Sequence, residues 1–199
     1  MFLPETNDHM QSFSKRIFDI VFSLIPVLLL SPLLLIIAII VKSGSRGPVI
    51  FKQSRAGKDR KLFVLYKFRT MKVDADPFGQ SPKDGNDSRL IAGGRFMREY
   101  SLDELLQLFN VLKGDMSLIG PRPLYVSQIN EMDEHYKRRS LVKPGLTGLS
   151  QLYSRSELTA KANLDLDIKY VEEQNLWLDI KIIFLTLIAV ISKKGVYEK

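Results

Sequence analysis

The 199-residue sequence contains no cysteine and only two histidines, His9 and His135. The lack of cysteine excludes disulfides, thiolate zinc sites and thiol nucleophiles, and two histidines are too few for a multi-histidine metal cluster. Any bound metal must therefore be held by oxygen ligands. The length suits one domain and is too short for a TIM barrel.

Charge is absent from residues 20–41, which read IVFSLIPVLLLSPLLLIIAIIV. As a helix they would reach about 33 Å, enough to cross the hydrocarbon core of a bilayer. Only Ser23 and Ser31 interrupt the apolar surface, whereas a core helix of a soluble protein usually has a polar face. The segment therefore predicts membrane insertion. A cleaved signal peptide fits poorly, because the run is too long and no small-x-small cleavage site follows it.

Two prolines bear on whether this segment crosses the membrane. Pro32, preceded by Ser31, removes an amide donor and clashes with the preceding turn, so the helix should bend there, and Pro26 predicts a second break. Basic residues lie on both sides of the run: Lys15, Arg16, Lys42 and Arg46. Both ends on one face satisfies the positive-inside rule, so we predict a re-entrant helix that turns at Ser31 and Pro32. A kinked span is the alternative.

A strongly basic block follows the apolar run. Residues 42–72 contain ten Lys or Arg and one acid, so this block alone carries +9 while the whole chain carries +7. Basic residues beside a membrane element attract anionic headgroups, at about 1 kcal/mol per residue near the surface. Nucleic acid is the competing partner, but no recognisable reading helix or stacking-aromatic motif accompanies the charge. We therefore predict membrane lipids as a partner and no nucleic acid.

Within the basic block, residues 49–51 and 62–66 are rich in β-branched and aromatic side chains and are separated by the turn-like residues 56–59. This pattern predicts a β-hairpin. Residues 74–88 are a loop by composition. They include Asp74 and Asp76 in the D-x-D spacing of nucleotide-sugar glycosyltransferases, but two acids in a polar loop are more often simply solvated.

Residues 98–123, REYSLDELLQLFNVLKGDMSLIGPRP, are the part of the sequence richest in candidate functional groups. Ser101 and Glu104 have the capping-box spacing ahead of an apolar stripe, which predicts a helix from Ser101 to near Gly114. Asp103 and Glu104 would then lie in its first turn. The helix dipole favours carboxylates there, so a purely structural role is one interpretation.

A chemical role is the other interpretation. Arg122 lies in a rigid Gly-Pro-Arg-Pro turn suited to clamping a phosphate, and Arg98 lies five residues before Asp103. A carboxylate at a cationic helix start has a depressed pKa and is a competent metal ligand or nucleophile toward phosphorus. Residues 143–149, KPGLTGL, form a second turn-rich segment that leads to Arg155. Its glycines permit backbone approach to a ligand, with a plain turn as the alternative.

Five motifs in a fixed order give the sequence a resemblance to a known family. They are the Ser-Pro-broken apolar helix, YKFRTM at residues 66–71, SLDEL at 101–105, KGDMSLIGPRP at 113–123 and PGLTG at 144–148. Together they resemble the bacterial sugar transferases, the small monotopic phosphoglycosyl transferases. The resemblance covers nearly all of residues 13–195.

The resemblance implies transfer of a sugar 1-phosphate from a UDP-sugar to polyprenyl (undecaprenyl) phosphate, with release of UMP. Asp103 and Glu104 would be the catalytic dyad, with Mg²⁺ as cofactor. Asp103 would be the nucleophile and a metal ligand, forming an aspartyl phosphosugar, and Glu104 would assist the metal or the acceptor. The sugar would be an N-acetylated amino sugar or a hexose such as galactose or glucose. A catalytically silent membrane scaffold of the same fold is the alternative function.

The resemblance also implies a set of substrate-binding residues. Arg122 would hold nucleotide phosphate, and the others would be the prolines beside it and further cations: Pro121, Pro123, Arg98, Arg155, Lys67 and Arg69. The expected location is the cytoplasmic face of the bacterial inner membrane, with downstream glycosyltransferases as candidate partners.

The expected fold is α+β, mainly α. Residues 1–12 would be a polar tail, 13–42 a membrane re-entrant helix hairpin, and 43–199 a cytoplasmic-face catalytic domain with a small β-hairpin. In the C-terminal run, residues 182–191 are interrupted only by Thr186 and are too short to span a bilayer. We predict an interfacial helix there, with packing against the core as the alternative.

Overall fold

The computed structural model describes residues 8–75, 82, 86–153 and 159–191. Four β-strands occur within these ranges: β1 (Ile50–Ala56), β2 (Leu62–Phe68), β3 (Ser117–Ile119) and β4 (Gly145–Thr147). The α-helices in the same ranges are α1 (Asp8–Leu29), α2 (Ser31–Gly44), α3 (Gly94–Glu99), α4 (Gln107–Lys113), α5 (Val126–Asn130), α6 (Glu134–Lys137), α7 (Leu149–Tyr153), α8 (Ala160–Glu173) and α9 (Leu176–Ile191). The prediction of a mainly α, α+β fold is confirmed.

The strands form two small sheets. β1 and β2 are the predicted antiparallel hairpin, with Ile50 opposite Phe68. β3 and β4 pair in parallel, so residues 143–149 are not only the turn that the sequence predicted. The glycines of that segment serve this pairing, because a Cβ on Gly145 would collide with the backbone of Gly120. Their lack of a side chain therefore permits close contact between the two strands.

The predicted break at Ser31 and Pro32 is confirmed. α1 and α2 meet at an angle of 64° after Leu30. Pro32 lacks the amide that would bond the carbonyl of Leu28, and the Ser31 hydroxyl donates to that carbonyl instead, at 2.8 Å. No one helix in the described ranges has the length and apolar character needed to cross a bilayer. The bent pair Phe13–Leu29 and Ser31–Gly44 together has this length and apolar character, which fits a broken span or a re-entrant loop.

The second break predicted at Pro26 is wrong, because α1 continues through this residue. The carbonyl of Pro26 accepts a hydrogen bond from the Leu30 amide at 2.8 Å, so the helical ladder is intact directly after the proline. One missing amide in a long helix packed on neighbouring elements is tolerated. A bend needs the additional change at Leu30, whose ψ of 4° departs from helical geometry.

Two apolar clusters hold the chain together. The first joins β2, α4 and the β3–β4 sheet to α8 and α9, and contains Phe63, Leu65, Leu108, Val111, Met116, Leu118, Ile119, Tyr170 and Ile182. The second joins α2 to β2 and α3, and contains Ile37, Val41, Phe68, Ile91, Met97 and Leu106. The bent helix pair is therefore packed on the rest of the chain through one face of each helix.

Polar groups also attach α1 to the rest of the chain. Arg16 donates to the carbonyls of Val111 and Leu112 at 2.6 and 2.7 Å, which satisfies the C-terminal end of α4. The buried Asp19 accepts from the Ser117 hydroxyl and the Leu118 amide at 2.9 and 3.0 Å. Arg16 thus makes internal contacts, although the sequence identified it only as one of the basic residues that flank the apolar run.

The other faces of these helices are apolar and exposed. On α1 and α2 the exposed residues include Phe22, Ile25, Leu28, Leu29, Leu35, Ile36 and Ile39. On α9, Asp179 and Ile182 are buried, whereas Trp177, Ile180, Phe184, Leu187 and Ile188 are exposed. The C-terminal run is therefore a helix that packs on the core along one side and presents an apolar surface along the other.

Candidate active site

Asp103 and Glu104 lie on a tight turn rather than on the predicted helix from Ser101 to Gly114. Residues Leu102–Glu104 form a single 3₁₀ turn, and α4 begins only at Gln107. Ser101 has a left-handed backbone, with φ of 55°, and its side chain makes no capping bond. The prediction of a capping box is wrong because the Glu104 carboxylate bonds two distant cations instead. Of the predicted helix, only its end at Gly114 is confirmed, where the backbone φ is 96°.

Glu104 joins three separate parts of the chain. Its Oε1 atom accepts from Lys67 Nζ at 2.7 Å and from Arg122 Nη2 at 3.2 Å. Lys67 lies on β2, and Arg122 lies in the Pro-Arg-Pro turn after β3. Burial acts to raise the pKa of Glu104, but the charges and hydrogen bonds of Lys67 and Arg122 outweigh it and hold this pKa well below its usual range. Glu104 is therefore a fixed carboxylate.

Asp103 is buried, with 7% of its surface exposed. Burial raises the pKa of Asp103, the charge of Glu104 raises it further, and Lys67 and Arg98 oppose part of the rise. The depressed pKa predicted from the sequence is thus wrong for Asp103 and correct for its neighbour. Lys67 and Arg122 donate to Glu104 rather than to Asp103, and the 3₁₀ turn does not provide the dipole of a long helix. Two adjacent carboxylates with opposite pKa shifts are typical of catalytic pairs.

The Pro-Arg-Pro turn is held rigidly by its backbone. The carbonyl of Arg122 accepts from Arg139 Nη2 at 2.8 Å, and the carbonyl of Pro121 accepts from the Gly145 amide at 3.0 Å. Pro121 and Pro123 are buried, whereas the Arg122 side chain is 54% exposed and extends to Glu104. The turn therefore fixes the backbone and leaves one guanidinium available at the surface.

A buried ion pair behind this turn was not predicted. Arg139 Nε and Nη2 donate to Asp167 Oδ2 at 3.0 and 2.6 Å, and both side chains are about 5% exposed or less. The Ser150 hydroxyl donates to Asp167 Oδ1 at 2.5 Å. Arg139 thus links Asp167 on α8 to the backbone of Arg122. No local sequence signal reveals this pair, because its members are 28 residues apart.

The other predicted cations separate into two groups. Arg98 lies at the end of α3 near Asp103, whose pKa it lowers, and its Nη1 atom is 3.4 Å from the Thr70 hydroxyl. Arg69 is buried and donates to the backbone carbonyls of Ser45 and Arg46 after α2, at 2.9 and 2.5 Å. The geometry thus gives Arg69 a role in holding the end of α2. Arg155 lies outside the described residues.

A cleft of about 260 Å³, including its open mouth, adjoins the dyad on the Glu104 side. It brings together the predicted residues Lys67, Glu104, Arg122 and Pro123. It also includes Gly145 and Leu146 of the turn-rich segment 143–149, together with residues that sequence reasoning missed: Arg55, Leu65, Gln107 and Gln151. Arg55 lies near the end of β1. The sequence identified it only as one of the cations of the basic block at residues 42–72.

The carboxylates of the site limit how a metal could bind. Across the described ranges, no three His, Cys, Asp or Glu side chains form a group able to hold an ion. Mg²⁺ needs fewer protein ligands, since one or two carboxylates and substrate phosphates are enough for it. Glu104 Oε1 already accepts from two cations, so Asp103, which neither of them bonds, is the first candidate to hold a metal together with substrate phosphates.

Comparison with known proteins finds similarity to bacterial sugar transferases. The sequence model described as "Bacterial sugar transferase" matches residues 10–193. A UDP-glucose:undecaprenyl-phosphate glucose-1-phosphate transferase of Klebsiella pneumoniae is 44% identical over 92% of this chain and 41% of its own length. An undecaprenyl-phosphate galactose phosphotransferase of Salmonella typhimurium is 39% identical over 93% of this chain and 42% of its own.

A shorter relative matches over nearly its whole length. This uncharacterized sugar transferase of Bacillus subtilis is 40% identical over 92% of this chain and 90% of its own length. The chain thus spans about two fifths of the length of the Klebsiella and Salmonella relatives and nine tenths of the Bacillus one.

Proposed function

Because the chain belongs to the bacterial sugar transferase family, we propose that it transfers a sugar 1-phosphate from a UDP-sugar to polyprenyl phosphate and releases UMP. The observation that carries this proposal is a buried carboxylate, Asp103, beside a second carboxylate fixed by Lys67 and Arg122. The names of the Klebsiella and Salmonella relatives support the reaction class. Magnesium dependence and the covalent intermediate are parts of the proposal.

Asp103 is the nucleophile in this reaction. Its carboxylate oxygen attacks the β-phosphorus of the UDP-sugar, the bond from that phosphorus to the bridging oxygen breaks, and UMP leaves with the oxygen. An oxygen of polyprenyl phosphate then attacks the same phosphorus and breaks its bond to Asp103, which restores the carboxylate. The product is a polyprenyl diphosphate sugar. A covalent step of this kind divides one difficult transfer into two easier ones.

The neighbours of Asp103 support both steps through charge. Arg122 is half exposed beside the dyad, where a guanidinium can hold nucleotide phosphate oxygens. Lys67 and Arg122 hold Glu104 ionised, and this second negative charge keeps the Asp103 carboxylate reactive. Arg98, whose charge acts on Asp103 and which is not among the residues that line the cleft, is the candidate contact for the acceptor phosphate.

Asp103 and the substrate phosphates would hold Mg²⁺, which when bound would neutralise phosphate charge during transfer. The charged side chains of the protein would supply the rest of the electrostatic stabilisation. Titrating Mg²⁺ into metal-free protein and measuring the affinity for UDP tests this requirement without turnover. Tighter UDP binding with Mg²⁺ in the parent than in Asp103→Ala supports the assignment of Asp103 as ligand. An equal effect in both proteins contradicts it.

The membrane placement follows from the same chemistry. The polyprenyl acceptor is embedded in lipid and the nucleotide is aqueous, so the reacting groups must meet at the interface. We assign α1 and α2 to a re-entrant element, α9 to the interface, and the cleft to the cytoplasmic face of the bacterial inner membrane. The exposed apolar faces of these three helices and the basic block at residues 42–72 support this assignment.

The transferred sugar is left open between hexoses and N-acetylated amino sugars, since the names of the two relatives already differ in the sugar, glucose in one and galactose in the other. The deciding experiment measures UMP release from a panel of UDP-sugars with Mg²⁺ and undecaprenyl phosphate. Release with one donor, lost in Asp103→Asn and retained in Asp87→Asn, supports the proposal. Failure with every donor favours the silent scaffold, and full turnover by Asp103→Asn excludes the covalent mechanism.

A further inference from the structure

Arg55 is held in a defined orientation at the edge of the cleft. Its guanidinium carbon lies 3.6 Å from the centre of the Tyr125 ring, which is within the range of a cation–π contact. Its Nη2 atom donates to Gln53 Oε1 at 2.6 Å. The Gln53 amide in turn donates to the Tyr125 hydroxyl, so these three side chains form a closed set of contacts.

Arg55 is a cation of the cleft that no carboxylate of the described residues neutralises. Lys67 and Arg122, the other cations of the cleft, both pair with Glu104, but no salt bridge in the described part of the chain includes Arg55. Its Nε atom is buried and has no hydrogen-bond partner within the same part of the chain. Burial lowers the pKa of Arg55, Tyr125 opposes this, and the charge of Arg122 lowers it further.

The cleft therefore has an excess of positive charge. Among the residues that the structure describes, three cations, Arg55, Lys67 and Arg122, line it with one carboxylate, Glu104. Two guanidiniums that repel one another across a cleft are stabilised by an anion placed between them, and a planar guanidinium suits phosphate oxygens. The excess matches a ligand with at least two negative charges, which a nucleoside diphosphate carries.

We propose that Arg55, braced by Tyr125 and Gln53, is a second phosphate-binding arm that holds the diphosphate of the nucleotide donor together with Arg122. This inference rests on the proposed function, because it assigns the donor to the cleft on the Glu104 side. Tyr125 is a positioning residue in this scheme, since it orients Arg55 through its ring.

Binding of UDP to the 199-residue chain in detergent, measured by calorimetry with Mg²⁺ present, tests the proposal. Arg55→Gln should weaken UDP affinity roughly 10- to 100-fold, the effect of losing a charged hydrogen-bonding group. Arg55→Lys should bind with intermediate affinity, because it keeps the charge without the planar fork. The matched control is Arg60→Gln, an exposed arginine of the same hairpin, which should change affinity less than 2-fold.

Inorganic pyrophosphate distinguishes the diphosphate from the rest of the nucleotide. Arg55→Gln should lose affinity for pyrophosphate in the same proportion as for UDP. Tyr125→Phe, which keeps the ring, should bind UDP more tightly than Tyr125→Leu. Thermal unfolding of each variant identifies a folding defect, and Arg55→Lys gives a folded reference if Arg55→Gln fails to fold.

Three results would overturn the inference: UDP affinity of Arg55→Gln within 2-fold of the parent, a loss for UDP without a loss for pyrophosphate, or equal binding by Tyr125→Phe and Tyr125→Leu. If the parent releases UMP from a UDP-sugar and Arg55→Gln is unaffected, only the Arg55 assignment fails. If the parent neither binds UDP nor releases UMP, the proposed function fails as well.

Discussion

Replacing Asp103 by asparagine should stabilise the folded protein at neutral pH while it removes the proposed nucleophile. The reason is the burial of the ionised carboxylate. The pKa of Asp103 is raised from 3.8 to about 6, chiefly by burial and secondarily by the charge of Glu104. An acidic group whose pKa is raised in the folded state is destabilising when it is ionised, because the unfolded chain ionises it more easily.

The size and the pH range of the effect follow from this shift. A rise of about two pKa units corresponds to about 3 kcal/mol lost from the free energy of unfolding once Asp103 is fully ionised. The loss is absent below about pH 4, where both states are protonated, grows between pH 4 and 6, and is complete above pH 6. The neutral amide of Asp103→Asn avoids this loss at every pH. In a chain of this length, 3 kcal/mol is roughly 6 to 12 °C in Tm.

Thermal unfolding in one detergent with EDTA, at pH 4.5 and pH 7.5, measures the difference. Asp103→Asn should unfold at a higher temperature than the parent at pH 7.5, and the gap should shrink at pH 4.5. Asp87→Asn is a control of opposite sign, because hydrogen bonds from Arg89 lower the pKa of Asp87 to about 2 and its charge is favourable in the folded state. A variant at position 103 that is no more stable than the parent at pH 7.5 would refute the reasoning.

Three further predictions test other parts of the structure. Asp167→Asn leaves Arg139 buried without its carboxylate, so unfolding measurements should show a free energy of unfolding that is lower by about 3 to 5 kcal/mol. Steady-state kinetics should show a higher KM for the UDP-sugar. An unchanged unfolding midpoint would contradict this prediction. Single cysteines near residues 10 and 50, introduced into a chain that has none, should be labelled from the same membrane face, whereas labelling from opposite faces would establish a span. Trp177, the only tryptophan, should be quenched by brominated lipids in vesicles because it lies on the exposed apolar face of α9; quenching by aqueous iodide alone would place that face in water.

The features that the sequence predicted correctly depend on neighbouring residues. The bend after Leu30 follows from the missing amide of Pro32 and the hydroxyl of Ser31, which lie within one turn of the carbonyl they affect. The β1–β2 hairpin follows from two strand-like runs around a turn. The end of α4 follows from a glycine able to take positive φ at position 114. Each of these features is specified by a few consecutive side chains.

The features that were missed depend on distant residues. The capping box predicted at Ser101 does not form, because Glu104 bonds Lys67 and Arg122, which are 37 and 18 residues away. The shift of the Asp103 pKa has the same origin, since it depends on burial and on where the neighbouring cations bond. The β3–β4 pairing requires Gly120 and Gly145 to meet in space, and no periodicity in a three-residue strand reveals that.

The candidate site was predicted in part for the same reason. Asp103, Glu104, Arg98 and Arg122 could be selected because acids, bases and turn residues are concentrated in one short stretch. Arg69 was grouped with them, but tertiary packing turns its guanidinium to the carbonyls after α2.

The most direct test of the central claim is the mass of the intact protein after incubation with a UDP-sugar and Mg²⁺ in the absence of polyprenyl phosphate. The account predicts an adduct with the mass of the sugar phosphate, located at Asp103 by fragmentation, absent from Asp103→Asn and discharged when polyprenyl phosphate is added. Product formation by protein that never carries this adduct, or an adduct on another residue, would contradict it.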